Sequence, residues 1–300
     1  MAGPAIETER LTKSYGRARG IVEVDLVVPR GEVFGFLGPN GAGKTTTIRV
    51  LLDFLRPTSG RARVLGLDSR DDSVEIRRRV GYLPGDPAFY PRLTGRELLA
   101  WLARMRGGVD QEVIDGLADR LGLDLGRTLR ALSRGNRQKV AVVQAFMHRP
   151  DVLVLDEPTA GLDPLVRLEV ARMVREASEE GRSVFLSSHV LDEVQDLCDQ
   201  VGIIREGRLV AVERVGDLRA RSLRTVTLRF AQPVDPAPFR ALPNVRDVTA
   251  ADTTLHLRIG GSPDALVKLA ARHEVLDLVS EPADLEETFL TYYRGDGHAS

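Results

Sequence analysis

Three hundred residues at a formal net charge of −1, 43% of them hydrophobic and one of them cysteine, leave room for a sizeable core and exclude an internal disulfide. A pI near 6.6 excludes a global attraction to nucleic acid or acidic lipid. The start, Met1-Ala2-Gly3-Pro4-Ala5-Ile6-Glu7, lacks the parts of a signal peptide, and no stretch reaches the ~18 apolar residues of a membrane span, so a cytoplasmic protein is expected.

Residues 6 to 37 read as strands joined by turns. Val22, Val24, Leu26 and Val28 alternate with other residues, the period of a half-buried strand, and Pro29-Arg30-Gly31 marks a turn. Val33-Phe34-Gly35-Phe36-Leu37 is a short apolar run and predicts a buried strand. Gly38-Pro39-Asn40-Gly41-Ala42-Gly43-Lys44-Thr45 follows, with a helix predicted over 46 to 52. This is the G-x-x-x-x-G-K-[ST] pattern in its proper setting, strand before and helix after. The glycines let backbone N–H groups turn inward onto phosphate oxygens, and the helix N-terminus adds partial positive charge. Lys44 is expected to reach the β- and γ-phosphates, and Thr45 to place a hydroxyl on Mg²⁺. A nucleotide-binding protein is implied.

Residues 57 to 92 are rich in turn signals. Helices are predicted over 94 to 106 and 110 to 122, the first opened by a capping box of Thr94 and Glu97. Another helix runs from 133 to 148 with Ser133 as its N-cap. Ser133 and Gly135 at that helix start form an anion site, in addition to the phosphate loop. Two such sites in one chain suggest that the second serves a nucleotide held by another copy. Val152-Leu153-Val154-Leu155 then predicts a fully buried parallel strand that ends in Asp156-Glu157. Asp156 is placed to hold the metal, and Glu157 to polarise a water in line with the γ-phosphate. Asp163 reads as the N-cap of a helix over 165 to 178, whose Val166, Val170, Met173 and Val174 share one stripe. A strand over 183 to 188 ends at His189. By itself this histidine reads as a partly buried residue at a helix start. A helix over 190 to 198 places Cys198 in a buried position rather than a reactive one, and strands over 201 to 205 and 208 to 213 follow.

Near 220 the pattern changes. Val226, Leu228 and Phe230 alternate, as do Leu255, Leu257 and Ile259, with a proline-rich segment between them. A helix over 264 to 272, a strand near 275 to 279 and a final amphipathic helix carrying Leu285, Thr288, Phe289 and Tyr292 complete the chain. Two domains are expected, 1–220 and 221–300, the first α/β with a parallel sheet and the second a small α+β domain.

The order of these motifs resembles the nucleotide-binding domain of ATP-binding cassette (ABC) transporters over roughly residues 5 to 215. The elements are Walker A (38 to 45), a loop at 82 to 86, a signature (132 to 136), Walker B (152 to 157), a D-loop (161 to 163) and the switch residue His189. The resemblance implies a P-loop NTPase, a RecA-like core with an antiparallel β subdomain and an α-helical subdomain. It implies an ATPase that uses ATP and Mg²⁺ in a head-to-tail homodimer. Tyr15 would stack on adenine, and residues 38 to 46, through Thr46, would cradle the phosphates. Ser133 and Gly135 would touch the partner copy's ATP. Glu157 would be the general base, His189 would hold the γ-phosphate, and Asp163 would couple the two sites. Residues 221 to 300, through the closing Leu285-Glu286-Glu287-Thr288-Phe289-Leu290-Thr291-Tyr292-Tyr293, resemble the C-terminal extension of ABC-2 type drug and antibiotic exporter ATPases. A separate transmembrane permease is then the expected partner, docked near 82 to 106, with the chain peripheral on the cytoplasmic face of the membrane. No nucleic-acid partner is expected. The alternative is a soluble ABC ATPase acting as a regulatory or ribosome-associated factor. Such proteins carry two cassettes or a long coiled coil, and neither is found here. Two positions depart from the family: Gly85 stands where a glutamine is usual, and Arg134 and Asn136 replace the usual Gly and Gln of the signature.

Overall fold

Short apolar runs bounded by glycine and proline build most of the strands. The computed structural model describes residues 3–16, 18–221 and 223–281, and the chain divides into two compact units, Met1–Val212 and Glu213–Ser300. In the first unit the elements are β1 (Ile6–Tyr15), β2 (Ala18–Val28), β3 (Val33–Leu37), α1 (Lys44–Leu51), β4 (Ser59–Val64), β5 (Leu67–Asp68), α2 (Ser73–Arg79) and β6 (Val80–Leu83). Helices α3 (Gly95–Met105), α4 (Gln111–Arg120) and α5 (Arg134–Phe146) follow, then β7 (Val152–Asp156), α6 (Pro164–Glu179), β8 (Ser183–Ser188), α7 (Leu191–Leu197), β9 (Gln200–Arg205) and β10 (Arg208–Arg214).

Two sheets form. One has the order β2-β1-β4-β5 and is antiparallel. The other has the order β10-β9-β3-β8-β7-β6, and its β9/β3, β3/β8, β8/β7 and β7/β6 pairings are all parallel. Every residue of β3, β7 and β8 is buried. Helix α1 packs on β7, α5 on β6, and α6 and α7 on β3 and β8, so both faces of the central strands are covered and the apolar run needs no alternation. The main core joins the two sheets around Phe34, Phe36, Phe185 and Ile48, with the Phe34 and Phe185 rings stacked at 5.9 Å.

The predicted elements 33 to 37, 152 to 156 and 183 to 188 form as strands, and the predicted helices form with their caps. Thr94 and Glu97 close a reciprocal capping box. Ser133 accepts from the Asn136 N–H and Asp163 from the Val166 N–H. The alternation expected for β2 slips at one point: Ile21 is buried and Val22 only half-buried. Glu23 has φ +49° there, and the pairing with β1 is irregular between Leu11 and Lys13. A bulge shifts the inward face by one residue. The turn-rich segment 57 to 92 contains four short elements, β4, β5, α2 and β6. Their turns are dense because the elements between them are brief.

In the second unit α8 (Val215–Arg221), β11 (Arg224–Phe230), α9 (Ala237–Arg240), β12 (Val245–Ala251), β13 (Thr254–Ile259), α10 (Asp264–Ala270) and β14 (Val275–Glu281) follow in order. From β11 onward this is βαββαβ, with sheet order β12-β13-β11-β14 and antiparallel pairing throughout, the ferredoxin-like arrangement. Val226, Leu228, Phe230, Leu255, Leu257 and Ile259, the alternating residues of the sequence, line its core with Phe239 and Leu266. Helix α9 lies within the proline-rich segment, and β12 follows it. The amphipathic helix expected at 285 to 292 lies outside the described residues.

Candidate active site

The C-terminal ends of β3, β7 and β8 lie side by side, and the polar residues just past each buried run meet there. The phosphate loop leaves β3 at Gly38, whose N–H donates to the Ser188 carbonyl at 3.2 Å. A Cβ on Gly38 would lie 2.3 Å from the Ile204 carbonyl oxygen, so only glycine fits. Gly43, the N-cap of α1, has φ +112°, a backbone that side chains rarely adopt. Lys44 opens α1 and is buried, and its Nζ donates to the carbonyls of Gly38 at 2.6 Å and Pro39 at 3.3 Å. The same ammonium lies 3.6 Å from Glu157 Oε1. Burial pulls the Lys44 pKa below its ordinary value, and the charges of Glu157 and Asp156 oppose that shift.

Asp156, at the end of β7, is buried, and both of its oxygens are used. Thr45 Oγ1 donates to Oδ2 at 2.8 Å and Ser187 Oγ donates to Oδ1 at 2.5 Å. The β7/β8 register pairs Asp156 with Ser187 directly. Glu157 comes next, with φ +50°. A non-glycine residue in that region is held by its surroundings and is often functional. Here the Glu157 N–H donates to both the carbonyl and the hydroxyl of Ser187, at 3.2 and 3.1 Å. Gln138 of α5, itself buried, donates from Nε2 to the carbonyls of Glu157 and Pro158 at 3.4 and 3.3 Å. His189 Nδ1 lies 3.2 Å from Glu157 Oε1. One carboxylate oxygen therefore faces both the phosphate-loop lysine and the histidine.

The turn after β7 is tied to β8 by Glu193 of α7. Thr159 Oγ1 donates to its Oε1 at 2.5 Å and Ser188 Oγ to its Oε2 at 2.9 Å. Asp163 is exposed and caps α6. Gly161 lies under the signature turn: a Cβ added to Gly135 would be 2.8 Å from the Gly161 carbonyl oxygen. Arg134 runs along the same glycine. Ser133 Oγ is engaged by its own helix, and neither Ser133 nor Gly135 hydrogen-bonds to residues 38 to 46. Tyr15 ends β1, is 43% exposed and carries Lys13 Nζ 5.5 Å from its ring centre. Its ring adjoins Gly20, whose strand packs on Gly43.

Gly85 sits beside the Asp156 carboxylate. A Cβ there would lie 3.5 Å from Asp156 Oδ2, ordinary contact distance. Tyr82, two residues before Pro84 and packed on Phe54 at 5.5 Å, has its pKa pushed up to about 12 by burial and by the Asp156 charge. Ser187, Gln138, Glu193 and Tyr82 were not among the expected site residues. The one available signal was Ser187-Ser188, two hydroxyls ending an otherwise apolar strand.

Residues 21–160 match the family described as "ABC transporter". The bacitracin transport ATP-binding protein BcrA of Bacillus licheniformis is 40% identical over 208 residues, 68% of each chain. The chain belongs to the ABC transporter family of ATP-binding proteins. Its site binds ATP, and the family's reaction is ATP hydrolysis. The linearmycin resistance ATP-binding protein LnrL of Bacillus subtilis (strain 168) is 31% identical over 302 residues, covering 95% of this chain and 97% of that protein. This second likeness runs through the ferredoxin-like unit as well. A solved ATP-binding subunit of an ABC transporter superposes with a TM-score of 0.64 at 32% identity, over 72% of this chain and 92% of that one. The P-loop NTPase fold and the α/β assignment follow. Among the described residues no helix is long and apolar enough to cross a membrane.

Proposed function

We propose that this ABC ATPase works in nucleotide-sandwiched pairs on the cytoplasmic face of a membrane. There it powers export of a drug or antibiotic-like compound through a separate permease. The observation that carries the catalytic part is the shared Glu157 oxygen, 3.6 Å from Lys44 and 3.2 Å from His189. The names of the two relatives, bacitracin transport and linearmycin resistance, support the substrate class.

In this mechanism the backbone amides of residues 38 to 46 and the Lys44 ammonium bind the β- and γ-phosphates, and Tyr15 stacks on adenine. Glu157 accepts a proton from water as the water oxygen bonds to the γ-phosphorus and the bond to the β,γ-bridging oxygen breaks. His189 holds Glu157 on one side and the γ-phosphate on the other. The strained backbone of Glu157 and its two N–H bonds to Ser187 keep the carboxylate aimed rather than free to rotate away. Thr45 Oγ1 and Asp156 are hard oxygen donors 2.8 Å apart and suit Mg²⁺. Among the described residues no cluster of three or more His, Cys, Asp or Glu could hold a metal. A site completed by phosphate and water is therefore the fitting one. The ion would neutralise charge on the phosphates. Ser133 and Gly135, whose helix end is not spent on this chain's own phosphate loop, contact the partner's ATP, and Asp163 couples the two sites.

The test is the mass of Glu157→Gln in solution. A monomer without nucleotide and a dimer with Mg-ATP is the expected result, with hydrolysis reduced by about 10²–10⁴-fold. A variant that hydrolyses ATP at the parent rate would remove Glu157 from the base role. A variant that binds ATP and stays monomeric would remove the sandwich. The membrane subunit is assigned to the groove near residues 82 to 106, which includes α3. Its test is co-purification of Leu102→Asp with the permease that co-purifies with the parent chain. Retention would move the docking face elsewhere.

A further inference from the structure

The ladder between β7 and β8 ends at the pair Asp156 and Ser187. Past it the chain makes two turns, one carrying Glu157 and the other His189. Strand pairing stops there, and beyond the Glu157 N–H bonds to Ser187 the turns meet through side chains. Glu193 of α7 spans them. Its Oε1 accepts from Thr159 Oγ1 at 2.5 Å and its Oε2 from Ser188 Oγ at 2.9 Å. Both hydroxyls belong to buried residues, Thr159 at 6% exposure and Ser188 at 2%. Each is tied to its own turn. The Ala160 N–H donates to the Glu157 carbonyl at 3.1 Å, and the Val190 N–H to Ser188 Oγ at 2.9 Å. A shift of either hydroxyl therefore carries Glu157 or His189 with it. Among the described residues no ion pair forms at Glu193.

Half-burying a carboxylate against two hydroxyls carries a desolvation cost that an apolar side chain in its place would avoid. What the carboxylate adds is geometry. Ionised, it accepts only, so both hydroxyls must point at it and their rotors are fixed. Resting on the roles proposed above for Glu157 and His189, we propose that Glu193 is a positioning residue for hydrolysis. Its carboxylate sets the spacing of the two turns and so keeps His189 Nδ1 at 3.2 Å from Glu157 Oε1. It touches neither the nucleotide nor the attacking water. The Leu162 N–H donates to the Thr159 carbonyl at 3.2 Å, so the same brace reaches the turn that ends at Asp163. A groove of about 860 Å³ between α6 and α7, lined in part by Thr159, Val190 and Glu193, opens this carboxylate to small solutes.

The test is the full chain with Glu193→Ala, measured for ATP turnover and, by equilibrium titration, for ATP binding. A small misplacement of reacting groups is costly, so kcat should fall by about 10- to 100-fold while the ATP dissociation constant stays within about threefold. Glu193→Gln keeps an acceptor for Thr159. Its amide can donate to Ser188 Oγ once that hydroxyl turns to the Val190 carbonyl, 3.3 Å away, so this variant should recover most of the loss. Sodium formate, entering through the groove, should restore part of the Glu193→Ala rate, and sodium chloride at equal ionic strength should not. Thr159→Val and Ser188→Ala should each lower kcat in the parent and add nothing in Glu193→Ala. Glu193→Ala at the parent kcat overturns the proposal. A matching loss of ATP affinity, or a loss of kcat that neither glutamine nor formate recovers, marks a merely structural role and overturns it too. Should Glu193→Ala fail to fold, Thr159→Val removes one hydroxyl and keeps the shape, and an unchanged kcat there overturns the proposal. Glu157→Gln, assayed beside these, keeps the two readings apart. A slow Glu157→Gln with Glu193→Ala at the parent rate removes the brace alone; Glu157→Gln at the parent rate removes the base assignment beneath it.

Discussion

The six-stranded sheet of the first unit and the four-stranded sheet of the second use the same ladder chemistry but expose opposite parts of themselves. In the first, β3, β7 and β8 are buried at every position, because helices cover both faces. Polar side chains can then appear only where the strands stop, and Gly38, Asp156 and Ser188 are all at or next to such stops. Ligands bind at the carboxyl ends of parallel sheets for this reason. In the second, β13 alternates buried and open residues, and β12 and β14 are mostly exposed. Its polar groups are spread along an open face, as in the 3.1 Å contact between Thr227 and His256. Covering both faces concentrates chemistry at an edge; leaving one face open disperses it.

That contrast can be broken most severely at Lys44. Its ammonium is buried and placed to meet the phosphates, and truncating one partner of a buried charge pair across a binding site costs about 3–5 kcal/mol, or roughly 10²–10⁴-fold in affinity. Lys44→Ala should lose ATP binding to that degree in equilibrium titration while the second unit's unfolding transition stays in place. Tight ATP binding by this variant would mean that the phosphates lie elsewhere.

The converse change is Phe230→Ala. Phe230 is 1% exposed and packs edge-on against Phe239 at 6.0 Å. Its truncation should destabilise the second unit by about 3–5 kcal/mol and add an early calorimetric transition. ATP affinity should stay at the parent value, because the residues placed at the nucleotide all belong to the first unit. A tenfold weaker ATP affinity would show that the two units share their stability.

A smaller and pH-dependent effect comes from His148. Burial, reinforced by the Arg106 charge, holds its folded pKa, about 4, below the ordinary 6.5. The unfolded chain therefore binds the extra proton first. Stability from this group is complete above about pH 6.5 and falls as pH drops toward 4, by up to about 3 kcal/mol. His148→Gln keeps an acceptor for Arg106, whose Nη1 lies 2.8 Å from His148 Nε2, but cannot titrate. Urea unfolding at pH 7 and pH 4.5 should show a smaller difference for the variant than for the parent. Equal differences would mean that His148 is not held neutral.

Much of the active site could be read locally. Residues 38 to 45 carry their own turn chemistry, and 152 to 157 announce a buried strand with acids at its end. The caps at Thr94, Ser133 and Asp163 depend only on residues three positions away, so they form as expected. Ser187 was harder to see. Its hydroxyl matters because β8 pairs with β7 in the register that sets it opposite Asp156, and register is a property of two distant segments. Gln138 likewise reads as one more helix residue until α5 brings its amide onto the Glu157 turn. Strand β12 follows a run of prolines and carries little apolar alternation; its pairing with β13 defines it.

By itself the sequence determined the α/β class, the phosphate loop, the paired acids where β7 ends and the change of character near 220, since each rests on periodicity or on chemistry within a few residues. Only the tertiary structure decided which strand ends meet, that Glu157 sits between Lys44 and His189, that position 85 abuts Asp156, and that Glu193 bridges Thr159 and Ser188. Those are contacts between segments far apart in the chain, fixed by strand register and helix packing, and no local pattern encodes them.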